Sequence, residues 1–232
     1  MRAGIIQSNY LPWRGYFDFI DDVDVFVFYD DVQYTDKDWR NRNRIKTPSG
    51  LLWLSVPVQH TRQSLIQTAA IRSDTRWAEK HIRSLQCAYQ KAPFYADYAD
   101  HLFAMLRENH ATISDLNITL CQWIMQQLNI HTAVRRSSEF QATGDKFERP
   151  LKLLLELGAT AYLSGPAARP YLDAAQYQAA GITVDYKTYD YSAYPQLWGA
   201  FEGSVSVLDL LFNTGPEARR YLKSLSPAQP AL

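Results

Sequence analysis

Short apolar runs and polar loops alternate at the start of this chain. Arg2–Gln7 (RAGIIQ) and Val23–Tyr29 (VDVFVFY) each predict a buried strand. Ser8, Asn9, Tyr10 and Pro12 break the pattern between them, and Gly15–Asp21 (GYFDFID) places its aromatics at helical spacing. Strand, helix and strand predict a right-handed βαβ crossover with parallel strands. Leu51–Val58 (LLWLSVPV) predicts a further strand after the turn Pro48-Ser49-Gly50, with Thr68–Ile71 as a short run that pairs nearby. From residue 75 the period becomes helical. Helices are expected at Trp77–Tyr89 after an N-cap at Asp74 or Thr75, at Phe94–Asn109 opened by Pro93, and at Ile113–Leu128. Strands at Thr132–Arg135, Ala161–Leu163 and Ile182–Tyr186 follow, with a helix at Leu151–Leu157 closed by Gly158 and another over Val205–Phe212.

The pattern predicts an α/β fold: a Rossmann-like, mostly parallel sheet flanked by helices. One domain is expected over residues 1–225, with a helical insertion at about 75–130 and a frayed tail at 226–232.

Composition narrows the function. The chain has 232 residues, 47% hydrophobic and 21% charged, enough to bury a core. Lys and Arg (24) balance Asp and Glu (24), which argues against bulk nucleic-acid binding and against a polybasic membrane surface. Cys87 and Cys121 sit in helical patterns without a CxxC, so neither a disulfide framework nor a metal site is expected, and a reducing cytoplasm is the natural setting.

The local chemistry concentrates in Asp30–Lys46 (DDVQYTDKDWRNRNRIK), which follows the second strand. Open α/β sheets bind ligands beyond the carboxyl ends of their strands. Arg40, Arg42 and Lys46 there suit phosphate or carboxylate, Asn41 and Asn43 suit sugar hydroxyls, and Trp39 offers a stacking surface. A solvated charged loop is the alternative, and about half of these cations are expected to be structural. Gln7, Asn9 and Tyr10, at the end of the first strand, are expected to face the same crevice; the alternative is that Asn9 and Tyr10 simply make the turn and pack. Asp30 is a candidate general base beside Asp31, or simply a strand-end carboxylate paired with an arginine. His81 is a candidate acid or base, or a half-buried helix histidine. Asp145, Lys146 and Arg149 precede a helix, where amides and positive charge hold an anion; the alternative is an N-cap at Asp145. Ser164 and Gly165 end a strand and let a ligand approach the backbone; the alternative is a tight turn. No GxxxxGK[ST], HExxH or GxSxG occurs.

Three blocks resemble the WbqC-like family of bacterial proteins: Gly4–Ile20, Asp30–Lys46, and a discontinuous third from Gly144 through Gly158–Asp173 to Ser206–Glu217. Ser8 stands where a proline is expected and Phe147 where a threonine is expected. The resemblance implies a surface-polysaccharide or sugar-modification pathway, and a transferase or ligase placing a small acyl or aminoacyl group on an amino sugar. In that reading Asp30 or His81 takes a proton from the attacking amine, Lys146 and Arg149 stabilise developing charge, and Gln7, Asn9 and Asn43 orient the substrate. The first residues also resemble adenylate-forming enzymes such as pantothenate synthetase. That brings in ATP as an open cofactor, although the HxGH signature is absent. The expected partner is a small anionic molecule or nucleotide-sugar, with oligomeric state open. A non-catalytic nucleotide-sugar or nucleotide binding module is the alternative.

Overall fold

A computed structural model describes residues 1–231. The chain runs through β1 (Arg2–Ile6), α1 (Arg14–Asp21) and β2 (Val25–Phe28), then a hairpin of β3 (Arg42–Thr47) and β4 (Gly50–Ser55), then β5 (Val58–Gln59) and β6 (Ala70–Ile71). Three helices follow: α2 (Trp77–Tyr89), α3 (Tyr95–Arg107) and α4 (Ile113–Gln127). The remainder is β7 (Ala133–Arg136), α5 (Glu148–Leu157), β8 (Ala161–Ser164), α6 (Ala174–Ala179), β9 (Thr183–Tyr186), α7 (Val207–Thr214) and β10 (Gln229–Pro230).

Six strands form the central sheet in the order β10-β9-β8-β1-β2-β7, all parallel except β10 at the edge. The fold is thus the expected α/β arrangement, a mostly parallel sheet with helices. Strand alternation sorts its two faces. Phe26 and Phe28 join Phe17, Phe19 and Ile20 of α1 in a large core shared with α2, α3, α4 and α7. Ala3, Ile5 and Val27 point the other way, onto Leu153, Leu154, Tyr162 and Tyr177. Gly4 lets α1 lie flat on β1, because a β-carbon there would come 2.4 Å from the Phe19 ring. Gly158 closes α5 in the left-handed region at φ 75°, as expected.

The chain leaves β1 toward β2 and β7 on one side and returns to β8 on the other. The strand order therefore reverses between β1 and β8, where an open sheet parts its loops into a crevice.

Several local expectations are corrected. The Leu51–Val58 run does not enter the main sheet; β4 pairs antiparallel with β3, Arg44 opposite Trp53, and so the basic stretch is itself a strand. Neither Asp74 nor Thr75 caps α2. Asp74 binds Arg72, the Thr75 hydroxyl donates to the Arg72 carbonyl, and the helix begins after Arg76 without a side-chain cap. In the tail expected to fray, Gln229 and Pro230 pair with Tyr186 and Asp185, and Leu232 lies outside the described residues.

Candidate functional site

The crevice between β1 and β8 holds a cavity of about 380 Å³. Gln7 reaches it from the end of β1, Tyr29 from the end of β2, and Ser164 and Gly165 from the end of β8. Lys146 and Phe147 enter from the start of α5, Tyr171 from the loop after β8, and Asp173 and Tyr177 from α6 and its cap. Four of the residues proposed from sequence, Gln7, Lys146, Ser164 and Gly165, therefore meet in one place. At Gly165 no protein atom lies within 4 Å of where a β-carbon would be, so its missing side chain keeps the floor open.

Charge and hydrogen-bonding capacity remain available there. The Lys146 ammonium lies 4.8 Å from the Phe147 ring centroid and makes no ion pair among the described residues. Asp173 accepts from the amides of Ala175 and Gln176 with Oδ1, and its Oδ2 makes no hydrogen bond among the described residues. The walls are aromatic. Tyr162 and Tyr177 stack at 5.7 Å with an interplanar angle of 13°, and the exposed rings of Phe147 and Tyr171 face each other at 6.3 Å. Burial pushes the Tyr162 hydroxyl up to about 12, against its hydrogen bond with Ser164.

Arg149 supports this wall from behind. Its guanidinium sits 5.2 Å from the Tyr29 ring centroid, donates to the Ala142 carbonyl and pairs with Asp31, which also accepts from Ser137. The amides that an incoming anion would use at α5 are already taken: Asp145 accepts from Phe147 and Glu148 at 2.8 and 2.9 Å. Asp145 is nevertheless not the N-cap expected of it: that position is Phe147, which has no side-chain cap, and Asp145 ties the turn ahead of it, leaving Lys146 to carry the anion-binding potential of this loop.

The remaining candidates lie elsewhere. Asp30 is buried outside the crevice, accepting from the Ser8 amide at 2.8 Å and from the Ser114 hydroxyl. Burial raises its pKa, opposed by those hydrogen bonds and by Arg40. His81 and Tyr10 are both buried and share a hydrogen bond of 2.9 Å, and burial lowers His81 to about 4. It is therefore neutral near pH 7 and faces Trp77 and Tyr10 rather than the crevice.

Within the basic stretch, Asn41 donates to the Val56 carbonyl, Asn43 to Tyr10 and Leu11, and Lys46 to Gln196 and Ala200. Arg42 lies over Trp53, 4.3 Å from the ring centroid. Arg40 alone reaches toward the crevice, donating to the Gln7 side chain while pairing with Asp38. Trp39 and Asn9 line a second cavity of about 410 Å³.

Sequence reasoning missed Tyr29, Phe147, Tyr162, Tyr171, Asp173 and Tyr177. Tyr29, beside Asp30 at a strand tip, carried a positional signal. Tyr162 lies in a run read as a buried strand and Tyr177 in a stretch with no candidate residue, and both rings also pack in the core. Among the described residues no group of three or more His, Cys, Asp or Glu is placed to hold a metal, and no helix is long and apolar enough to cross a membrane.

A family model for WbqC-like proteins matches residues 7–221. The uncharacterized protein Rv1507c of Mycobacterium tuberculosis is 46% identical over 227 residues, covering 96% of this chain and 97% of that protein. No solved structure matches the chain.

Proposed function

This chain belongs to the WbqC-like protein family, and for it we propose a transferase or ligase that forms an amide on an amino sugar or similar small amine. Its phosphate- or carboxylate-bearing substrate sits in the β1–β8 crevice. The observation that carries this reading is the convergence of Gln7, Lys146, Ser164 and Asp173 on one aromatic-walled cavity at the reversal of strand order. Lys146 holds the anion, Gln7 and Ser164 orient the acyl group by hydrogen bonds, and the tyrosine walls exclude water from the reacting atoms. Asp173 replaces Asp30 and His81 as the group that takes the proton from the attacking amine, because it is the carboxylate lining the cavity; as the amine nitrogen bonds the acyl carbon, the bond from that carbon to the donor's phosphate or other anionic leaving group breaks, and the anion departs held by Lys146.

A second reading, a binding module that holds a nucleotide-sugar without turnover, is favoured by the burial of Asp30 and His81 away from the crevice. Thermal-shift measurements with ATP, sugar nucleotides and amino acids, on the wild type and Gly165→Leu, test the site. A ligand is expected to raise the Tm of the wild type and not of Gly165→Leu, whose own Tm changes little because the new side chain enters open space. A shift that persists in the variant would place the ligand elsewhere. Turnover by the bound complex on adding an amine separates the enzyme from the module.

A further inference from the structure

The β3–β4 hairpin leaves one edge unpaired. Along an antiparallel pair, residues alternately exchange hydrogen bonds with the opposite strand and turn those groups outward. In β3 the Arg44 amide donates to Asn43 Oδ1, the Arg44 carbonyl accepts from the Ser206 amide, and the Lys46 amide donates to the Tyr89 hydroxyl, so both residues turn away from β4. Their partners, Trp53 and Leu51, therefore turn their own N–H and C=O groups away from β3. β4 pairs with no other strand, and nothing among the described residues bonds those four groups.

A cavity of about 360 Å³ runs along this edge, between β4 and α2. It touches Leu52, Trp53, Leu54 and Ser55 in succession, whereas consecutive side chains of a strand point to opposite faces. It therefore follows the edge rather than one face. Leu51, Leu52 and Trp53 are 42, 41 and 43% exposed. β4 carries no charge and no proline, the usual means of blunting an open edge. The edge is thus a template for a further strand.

Cations surround it without free acids. The Arg42 guanidinium crosses from β3 to lie 4.3 Å from the Trp53 ring centroid, with that of Arg44 at 5.5 Å. Arg44 spends one nitrogen on the Ser204 carbonyl. The terminal nitrogens of Arg42 have no partner among the described residues and, unlike its buried Nε, retain accessible surface. Lys80, which α2 presents to the cavity, is exposed and makes no ion pair among the described residues. The carboxylates of Glu79 and Asp74 are spent on Arg107 and Arg72. A second copy of β4 pairing here would bring the same arginines against one another with no acid between them. A nucleic acid would meet the cations but offers no alternating N–H and C=O groups to Leu51 and Trp53. An extended acidic peptide does both.

We propose that the free edge of β4 docks an extended acidic segment of a partner protein, which adds a third strand to the hairpin. Its backbone pairs with Leu51 and Trp53, and its carboxylates meet Arg42 and Lys80. This docking does not depend on what the crevice binds.

Amide NMR of the isotope-labelled full chain, titrated with capped hexapeptides that alternate valine with glutamate or valine with lysine, and with oligothymidylate, tests it. The glutamate peptide is expected to shift the Leu51 and Trp53 amides and to slow their hydrogen exchange, and the lysine peptide to leave them in place. Lys80→Glu, at an exposed position, is expected to weaken binding about tenfold without moving the Tm, because an attraction becomes a repulsion. Leu51→Pro removes an outward N–H that the β3–β4 ladder does not use, and is expected to abolish binding. Arg42→Ala gives a second reading of the charge that leaves the edge intact. Failure of the glutamate peptide to bind, an equal response to the lysine peptide, affinity indifferent to both Lys80→Glu and Arg42→Ala, or shifts at these amides with oligothymidylate alone would each overturn the proposal. So would sedimentation showing a dimer that Leu51→Pro dissociates, since the occupant is then a second copy of the chain.

Discussion

In the β3–β4 hairpin and the turn that leads into it, Asn41, Asn43 and Lys46 direct their side-chain donors to Val56, Tyr10, Leu11, Gln196 and Ala200. In the crevice, Lys146 makes no ion pair among the described residues and Asp173 keeps one oxygen unbonded. The hairpin is the denser polar stretch in sequence, and its chemistry is largely committed to holding loops in place. A buried donor must be matched within the fold, whereas a residue at a cavity rim is matched by water until a ligand arrives. The density of charged and amide residues therefore says less about a site than the number left over once the loops are tied down.

This contrast can be broken by experiment. The largest effect concerns His81, on the committed side. Its pKa is lowered by burial to about 4 from the ordinary 6.5, so the unfolded chain binds the proton more readily. Its stabilising contribution is complete above about pH 6.5 and is lost as pH falls toward 4, a difference of about 3 kcal/mol. Buried carboxyls with raised pKa, Asp30 and Asp209, act in the opposite sense on acidification. Urea unfolding of the wild type against His81→Gln across this range isolates the histidine. Equal pH slopes in the two proteins would show that His81 is not held neutral.

A smaller effect is expected at Asn43. Asn43→Ala leaves the carbonyls of Tyr10 and Leu11 without their donor and should cost about 2 kcal/mol in chemical unfolding. A stable Asn43→Ala protein that had lost ligand binding would return the hairpin to the site.

The smallest effects compare two cations directly. Lys146→Ala should weaken binding of an anionic ligand about tenfold, or 1.4 kcal/mol, at nearly unchanged Tm. Arg42→Ala removes a guanidinium stacked on Trp53 and should leave ligand affinity alone, costing at most about 1 kcal/mol of stability. Calorimetric titration of both variants with the ligand found by thermal shift checks the pair, and the reverse outcome would exchange their roles.

Periodicity made the strands and helices of the main fold legible, because apolar runs and 3.6-residue spacing follow directly from which face is buried. It also put Gln7 and Ser164 at the right strand ends and Lys146 just ahead of a helix. It failed at Arg42–Thr47, where inward Asn43 and Ile45 alternate with outward arginines and the strand reads as a charged loop. It failed at Tyr162 and Tyr177 too, whose rings pack in the core while also lining the crevice.

The sequence by itself determined the α/β class, the parallel core of the sheet, the WbqC-like membership and the polar residues that end its strands. Only the tertiary structure decided which of those residues face open space. Apolar burial is imposed by local pattern, since each strand or helix must hide its own face. Whether a lysine, asparagine or carboxylate is free depends on partners far along the chain: Ser8 and Ser114 meet Asp30, and Gln196 meets Lys46, while Asp173 Oδ2 is left unbonded among the described residues.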